Sequence, residues 1–199
     1  MVHASERDRA DVKAKRVIWS GMQSTMDAAS LVFLDESGVN TNLTRRYGRS
    51  KGKRRVMDSA PLNTPKTTTI LSSVRADGTT IRNIFSEALN GEIFLKYIKE
   101  NLVPSLHSGD FVIMDNLRCH KVQGVKEAIE SVGAFVMYLP PYSPDFNPIE
   151  MMWSKIKAVL RKLKARTVDA LLSALPYAFS AVSTDDIRGW FIAAGYSQS

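Results

Sequence analysis

The hydrophobic pattern contains three short runs in which nearly every position is apolar. Such runs are typical of strands buried on both faces of a sheet, because side chains on either side of the strand are apolar. The runs are LVFLD (31–35), FVIMD (111–115) and AFVMYL (134–139). Two further segments, TTTILSSV (67–74) and TTIRNIF (79–85), flank an Asp-Gly pair that favours a tight hairpin turn. The pattern therefore predicts five strands.

Three other segments repeat their apolar residues at helical spacing, namely residues 91–103, 121–132 and 147–163. Two short helices are predicted to follow, starting near Thr167 and near Thr184. Strand-helix-strand crossovers join parallel strands, whereas the hairpin is antiparallel. The order of elements thus predicts an α/β fold with a mixed five-stranded sheet, flanking helices and a helical C-terminal tail.

Composition narrows the class of protein. No apolar run approaches the roughly 20 residues that span a bilayer, and the charged start MVHASERDRADVKAKR is unlike a secretory signal. We therefore expect a cytoplasmic protein. Cys119 is the only cysteine, which excludes an intrachain disulfide and a multi-cysteine zinc site. The formal net charge of +7 suits a polyanionic partner such as nucleic acid.

Three acidic residues stand where elements end or begin. Asp35 and Asp115 each end a predicted central strand, and Glu150 follows a proline-rich segment in the first turn of a helix. Prolines restrict the backbone, so this segment should present Glu150 rigidly. We expect the three carboxylates to converge, where they would repel one another without a cation. Oxygen ligands favour Mg²⁺ or Mn²⁺, and two such ions about 4 Å apart suit phosphodiester chemistry.

Each acid also has an interpretation without chemistry. Residues 147–150 fit an N-cap, a proline at the first helical position and a capping-box glutamate. Asp35 and Asp115 could each close an Asx-type turn after a strand. Several neighbouring residues are given no catalytic role. Glu36 should point to the opposite face from Asp35, and Asp77 and Asp145 belong to turns. Cys119 is an incidental small residue, and His120 is a loop residue near the site.

Three motifs favour a catalytic role for these acids. The segments LDES (34–37), VIMDN (112–116) with His120 after it, and LPPYSPDFNPIE (139–150) resemble the signatures of DDE transposases of the mariner superfamily, specifically the bacterial insertion-sequence branch. The 34 residues between Asp115 and Glu150 (116–149) match the spacing typical of that superfamily. The third motif is highly specific, the second moderately so, and the first is weak alone.

The resemblance implies a ribonuclease-H-like catalytic core. It implies that Asp35, Asp115 and Glu150 are catalytic and bind two Mg²⁺ (or Mn²⁺) ions. It further implies that the enzyme cuts DNA at transposon ends and joins the freed 3′ hydroxyl to target DNA, commonly at TA. We expect a polar helical lead-in over residues 1–29, the DDE catalytic domain over 30–166, and a helical extension packed on it over 167–199.

Two basic clusters are candidates for holding DNA phosphates, which would give affinity with little sequence information. One runs along the flank of the long helix that carries Glu150, and the other follows the first strand. A generally solvated helix is the alternative for the first cluster. The predicted DNA-binding residues are Lys157, Arg161 and Lys164 in the first cluster and Arg45, Arg46 and Arg49 in the second.

About 34 residues precede Asp35, which is short for the N-terminal helix-turn-helix module of this superfamily. We therefore expect an upstream helix-turn-helix segment or polypeptide to recognise the transposon ends, and a homodimer stays open as the oligomeric state. Two other functions stay open on the sequence alone. One is a catalytically silent DNA-binding or assembly remnant of a decayed element. The other is a generic nuclease or phosphohydrolase, although Asp115-Asn116-Leu117 lacks the Asp-x-Asp of aspartyl-phosphate enzymes.

Overall fold

The computed structural model describes residues 4–45, 48–52, 55, 57, 59–61, 67–86 and 88–196. Strands and helices alternate in the second half of the chain, after an N-terminal helix and an antiparallel hairpin. The elements are α1 (Ala10–Gln23), β1 (Leu31–Val39), β2 (Thr68–Arg75), β3 (Thr80–Phe85), α2 (Gly91–Tyr97), β4 (Phe111–Met114), α3 (Val125–Glu130), β5 (Phe135–Tyr138), α4 (Pro148–Leu163), α5 (Val168–Ser180) and α6 (Thr184–Ala193).

The five strands form one sheet in the order β3-β2-β1-β4-β5. The pairs β1-β2 and β2-β3 are antiparallel, whereas β1-β4 and β4-β5 are parallel. The predicted hairpin is confirmed, because Arg75 N donates to Thr79 O at 3.0 Å and Gly78 adopts φ +97° between them. The mixed five-stranded sheet predicted from the order of elements is therefore confirmed.

Strand alternation divides the core into two layers. On one face of the sheet, Phe33 of β1 and Ile113 of β4 pack with the apolar stripe of α4 and with α5 and α6. On the other face, Leu34 and Val112 pack with α2 and α3. Helix α4 thus lies on the face to which the odd-numbered residues of β1 point, and this determines where its first turn can reach.

The N-terminal helix is tied to the C-terminus and to the turn before α4. The indole N–H of Trp19 donates to the Tyr196 hydroxyl at 3.0 Å, and that hydroxyl donates to Phe146 O at 2.9 Å. Arg16 makes a bidentate contact with Asp145 at 3.0 and 2.7 Å, and its guanidinium lies over the Phe146 ring. These contacts hold the 3-10 turn of residues 144–146, from which α4 begins.

Two predicted helices differ from the structure in detail. The helix predicted over 91–103 is α-helical only to Tyr97, and then continues as a π turn over 98–102 and a 3-10 turn over 103–105. Pro104 is tolerated because it lies in the first turn of that last element, where its missing N–H is not needed. The helix predicted over 121–132 begins later, at Val125, because Gly124 takes a left-handed conformation and its N–H donates to Glu127.

In the part of the chain that the structure describes, no helix combines the length and the apolar character needed to cross a membrane.

Candidate active site

Two aspartates lie beside each other on adjacent parallel strands. The prediction that Asp35 ends its strand is wrong, because β1 continues to Val39 by pairing with β2, whereas Asp115 does follow the last residue of β4. The register pairs Phe33 of β1 with Ile113 of β4, and Asp35 and Asp115 each come two residues later. Because side chains alternate along a strand, both aspartates face the side of the sheet that α4 covers. Asp35 is 8% exposed and still within β1, whereas Asp115 follows the last residue of β4 and is half-buried.

The proline-rich turn delivers the third carboxylate. Pro148 occupies the first turn of α4, and Glu150 lies in the same turn. The capping-box interpretation of Glu150 is wrong. Within the part of the chain that the structure describes, no side chain caps the start of α4, and Asn147 N donates to Pro144 O at 3.1 Å and not to Glu150. The Glu150 carboxylate is therefore not used to begin the helix.

All three carboxylates line one cleft of about 450 Å³. Its walls come from the middle of β1, the loop after β4, the proline-rich turn and the first turn of α4. Asn147 also lines it, and its buried side-chain oxygen has no hydrogen-bond partner among the described residues. The cleft is lined by Asp35, Asp115, Asn116, Leu117, Leu139, Pro140, Pro141, Tyr142, Ser143, Pro144, Asn147 and Glu150.

Asp35 is the most strongly perturbed acid of the cleft. Burial raises its pKa well above the usual value, and the negative charges of Glu36, Glu150 and Asp115 act in the same direction. Its carboxylate accepts from two donors: Glu36 N to Oδ1 at 2.9 Å, and the Trp153 indole N–H to Oδ2 at 3.2 Å. A buried acid among like charges indicates a site prepared for a cation.

Asp115 is held by a histidine that the sequence interpretation had set aside. His120 is fully buried, with Nδ1 at 2.8 Å from Asp115 Oδ1 and Nε2 at 3.2 Å from Glu36 Oε2. Burial opposes the charged ring, but the two carboxylates outweigh burial and raise the pKa of His120 to about 9. Although burial also acts against its charged form, the bonds from His120 and Leu117 N keep the pKa of Asp115 below its usual value.

Glu150 has neither the hydrogen-bond donors that hold Asp35 nor the histidine contact that holds Asp115. As a residue it is exposed, yet its carboxyl is desolvated enough at the cleft to raise its pKa. The positive charge of Lys157 opposes this rise, while the charges of Asp115 and Glu36 add to it. Within the described residues, the Glu150 carboxylate accepts no hydrogen bond.

A family model described as "DDE superfamily endonuclease" matches residues 30–172, which is 143 of the 199 residues. The chain belongs to this family. The matched region contains Asp35, Asp115 and Glu150, so the DDE superfamily membership predicted from the three motifs is confirmed. Its bacterial insertion-sequence branch stays a prediction. A search of curated proteins by sequence gave no match.

Solved structures place this DDE superfamily chain in a known fold. The Mos1 mariner paired-end complex with Mn superposes with a TM-score of 0.77 at 15% identity, over 98% of this chain and 61% of that chain. The catalytic domain of Mos1 mariner transposase superposes with a TM-score of 0.67 at 13% identity, over 98% of this chain and 91% of that one. The ribonuclease-H-like fold is confirmed, and the chain spans about three fifths of the length of the paired-end Mos1 chain.

The donors of the cleft suit the divalent ions of a DDE enzyme. Carboxylate oxygens and an unpartnered buried amide oxygen are hard ligands, which favour Mg²⁺ or Mn²⁺. Among the described residues, no three His, Cys, Asp or Glu side chains are grouped closely enough to enclose an ion by themselves. Magnesium is commonly held by one or two carboxylates together with substrate phosphates and waters, so an incomplete set of protein ligands fits this ion.

The basic residues predicted to bind DNA lie on two surfaces. Lys157 and Arg161 are half-buried on α4. Lys164 is exposed and caps the C-terminus of this helix in a left-handed backbone conformation. Arg45 and Arg49 are exposed in the segment after β1, and Arg46 lies outside the described residues. On the other flank of α4, Lys155 pairs with Asp186, and Arg166 donates to Thr41 O and Leu43 O. Lys155, and Arg166 just after the helix, are thus engaged within the protein, whereas Lys162 on the same flank is exposed.

Sequence reasoning missed three residues that contact the candidate ligands: Glu36, His120 and Trp153. The alternation argument placed Glu36 on the face opposite Asp35, but it did not show that a histidine would bridge from that face to Asp115. Trp153 was assigned only to the apolar stripe. The available signals were the five-residue spacing from Asp115 to His120 and the three-residue spacing from Glu150 to Trp153.

Proposed function

We propose that the chain is the catalytic part of a DDE transposase, a polynucleotidyl transferase that cuts DNA at transposon ends and transfers the freed strand to target DNA. The observation that carries the proposal is the convergence of Asp35, Asp115 and Glu150 on one cleft in a chain of this family. Support also comes from relatives with this fold, which include a Mos1 strand transfer complex with a TM-score of 0.71 at 15% identity.

In this proposal, Asp35, Asp115 and Glu150 are the catalytic acids and would hold two Mg²⁺ or Mn²⁺ ions. Two such ions, when bound, activate the attacking oxygen and stabilise the leaving oxygen of a phosphodiester. Mos1 structures described as complexes with Mn and with Mg support this choice of cation. The unpartnered amide oxygen of Asn147 is suited to orient a water in the same cleft.

Side-chain and backbone groups of the chain orient the candidate ligands. Trp153 fixes the Asp35 carboxylate, and Leu117 N fixes one oxygen of Asp115. The proline turn carries Glu150 on a helix whose first residues are buried. Lys157, Arg161 and Lys164 continue from Glu150 along α4 and would bind phosphates of the DNA that enters the cleft, together with Arg45, Arg46 and Arg49.

The proposal assigns recognition of transposon ends to a helix-turn-helix segment or a separate polypeptide, and the pairing of two ends to a homodimer. The Mos1 relative described as a paired-end complex with left transposon end supports DNA as the partner.

Incubation with Mn²⁺ and a labelled duplex carrying the end of the encoding element tests the proposal. We expect strand cleavage or joining that Asp115→Asn abolishes and that Asp77→Asn, an acid in the exposed hairpin turn, leaves unchanged. Cleavage that persists in Asp115→Asn would contradict the assignment. Binding without any metal-dependent cleavage, even with a helix-turn-helix polypeptide added, would favour a silent remnant.

A further inference from the structure

Asp115 has only one carboxylate oxygen left for a ligand. Its Oδ1 already accepts from Leu117 N at 2.9 Å and contacts His120 Nδ1 at 2.8 Å. A carboxylate oxygen has two lone pairs, so these contacts use the capacity of Oδ1. Within the described residues, Oδ2 accepts no hydrogen bond, and Asp115 lines the cleft.

The ring of His120 is fixed on three sides. It lies against the ring of Phe94, with centroids 4.5 Å apart and planes inclined by 30°. Its Nε2 is 3.2 Å from Glu36 Oε2, and its side chain is 0% exposed. The orientation of the ring is therefore set by a packing contact from α2 and a carboxylate from β1, neither of which belongs to the loop that carries Asp115.

Glu36 is the next residue after Asp35 on β1. The path Glu36–His120–Asp115 thus connects the strand that carries one candidate ligand to the loop that carries another. A partner that orients a ligating side chain is commonly needed for metal affinity, and its loss typically costs 10- to 100-fold.

We propose that His120 and Glu36 are positioning residues: His120 holds Asp115 Oδ1 so that Oδ2 is presented to a divalent cation, and Glu36 acts only through His120. This inference rests on the proposed function, because it requires Asp115 to bind the cation. It assigns neither residue a contact with the cation or with DNA.

Two conservative substitutions separate the contacts of His120. The amide nitrogen of the asparagine in His120→Asn has about the reach of Nδ1. This variant therefore keeps a donor for Asp115 and loses the contact with Glu36. The amide nitrogen of the glutamine in His120→Gln has about the reach of Nε2, so this variant keeps the contact with Glu36 and loses the one with Asp115. Cys119→Ala, a half-buried neighbour in the same 3-10 turn, is the matched control.

The experiment measures Mn²⁺ affinity of the whole chain without DNA, from the electron paramagnetic resonance signal of free Mn²⁺. We expect His120→Gln to weaken affinity by about 10- to 100-fold. His120→Asn keeps the donor to Asp115 and loses only the contact with Glu36, so it should cost less than His120→Gln and about as much as Glu36→Ala. Cys119→Ala should match wild type. Circular dichroism confirms that each variant is folded. Equal affinities of folded His120→Asn and His120→Gln would overturn the role of His120.

Glu36 is tested by a double-mutant cycle. Glu36→Ala should weaken Mn²⁺ binding about tenfold in wild type and not at all in His120→Asn, which no longer reaches Glu36. An equal loss in both backgrounds would show that Glu36 acts directly and overturn its assigned role. Should the His120 variants fail to fold, an unchanged affinity in Glu36→Ala alone would also overturn it. If wild type itself shows no Mn²⁺ binding that Asp115→Asn removes, the positioning role of His120 and Glu36 fails. The proposed function is then judged separately, by metal-dependent cleavage of the labelled duplex in wild type and in Asp115→Asn.

Discussion

The indole N–H of Trp153 donates to Oδ2 of Asp35 at 3.2 Å, across 118 residues of sequence. Trp153 lies three residues after Glu150 on α4, so this bond fixes the helix that carries one candidate ligand to the strand that carries another. The Trp153 ring also packs edge-on against Phe179 of α5, with centroids 6.2 Å apart. The side chain therefore serves both the core and the cleft.

Trp153→Phe should separate these two contributions, because phenylalanine keeps the packing and removes the donor. We expect the free energy of unfolding to fall by about 1–2 kcal/mol, since a buried hydrogen bond to a carboxylate is lost. Mn²⁺ affinity should fall as well, because Asp35 is no longer oriented. Urea denaturation and Mn²⁺ titration measure the two effects. Trp190→Phe, on α6, is the control. If Trp153→Phe does not change Mn²⁺ affinity, the hydrogen bond from Trp153 does not orient Asp35 for the cation.

The strands, and the position of Asp115 directly after β4, could be predicted from short apolar runs, whereas the continuation of β1 past Asp35 to Val39 could not. Such runs depend on local alternation alone. The contacts that orient the aspartates could not be predicted, because they join residues far apart in the chain. His120 and Glu36 are 84 residues apart, and Trp153 reads as one more apolar position in a helical stripe.

The N-terminal helix shows the same limit. Residues 1–29 contain many charges and suggest a polar lead-in, yet Val12 and Trp19 of α1 are buried. The partner of Trp19 is Tyr196, 177 residues away. The sequence indicates a polar helical segment here, but it does not show that Val12 and Trp19 are covered or which surface covers them.

Divalent cations should raise the thermal stability of the chain, because they neutralise the facing carboxylates in the folded state only. At a cation concentration 100-fold above Kd, the gain is about 2.7 kcal/mol, which for a domain of this size raises Tm by roughly 5–10 °C. Differential scanning calorimetry with and without Mn²⁺ measures this shift.

Glu150→Gln should remove most of that rise and leave the metal-free Tm nearly unchanged, because the carboxylate accepts no hydrogen bond from the described residues. Glu92→Gln is the matched control, since Glu92 is an exposed glutamate in the first turn of α2. A full metal-induced rise in Glu150→Gln would contradict the assignment of Glu150 as a ligand.

The basic flank of α4 should contribute affinity for DNA but little specificity. Arg161→Ala removes a charge with no hydrogen-bond or ion-pair partner among the described residues, so we expect weaker binding of similar size on all sequences. The slope of log affinity against log salt should fall by about 1. Lys157→Ala should cause a similar change. However, the charge of Lys157 also opposes the rise in the pKa of Glu150 that burial causes, so Arg161 is the cleaner test. Fluorescence anisotropy at several salt concentrations measures both.

Lys162→Ala is the control for this flank, because Lys162 is exposed on the other side of the same helix. Equal losses from Lys162→Ala and Arg161→Ala would mean that α4 attracts DNA by its net charge alone. An unchanged salt slope in Arg161→Ala would remove this flank from the proposed DNA path.

The opposite end of the sheet contains a buried ion pair whose loss should depend on pH. Arg75 Nη1 donates to Asp110 Oδ1 at 2.9 Å, His107 N donates to Oδ2 at 2.6 Å, and Asp110 is 4% exposed. Burial acts to raise the pKa of Asp110, but these donors outweigh it and lower the pKa. The folded chain therefore binds this proton less tightly than the unfolded chain.

It follows that the pair stabilises the fold fully above the unfolded pKa of about 3.9, and that this contribution is lost as pH falls through the lower folded pKa. Asp110→Asn should lower the free energy of unfolding at pH 7 by about 3–5 kcal/mol, because it leaves the buried Arg75 without its counter-charge. The difference in free energy of unfolding between wild type and Asp110→Asn should narrow as pH falls below about 4. Urea denaturation at pH 7, 5 and 3 measures this difference, with Asp77→Asn as the control. A difference that stays constant down to pH 3 would show that Asp110 contributes by its shape and not by its charge.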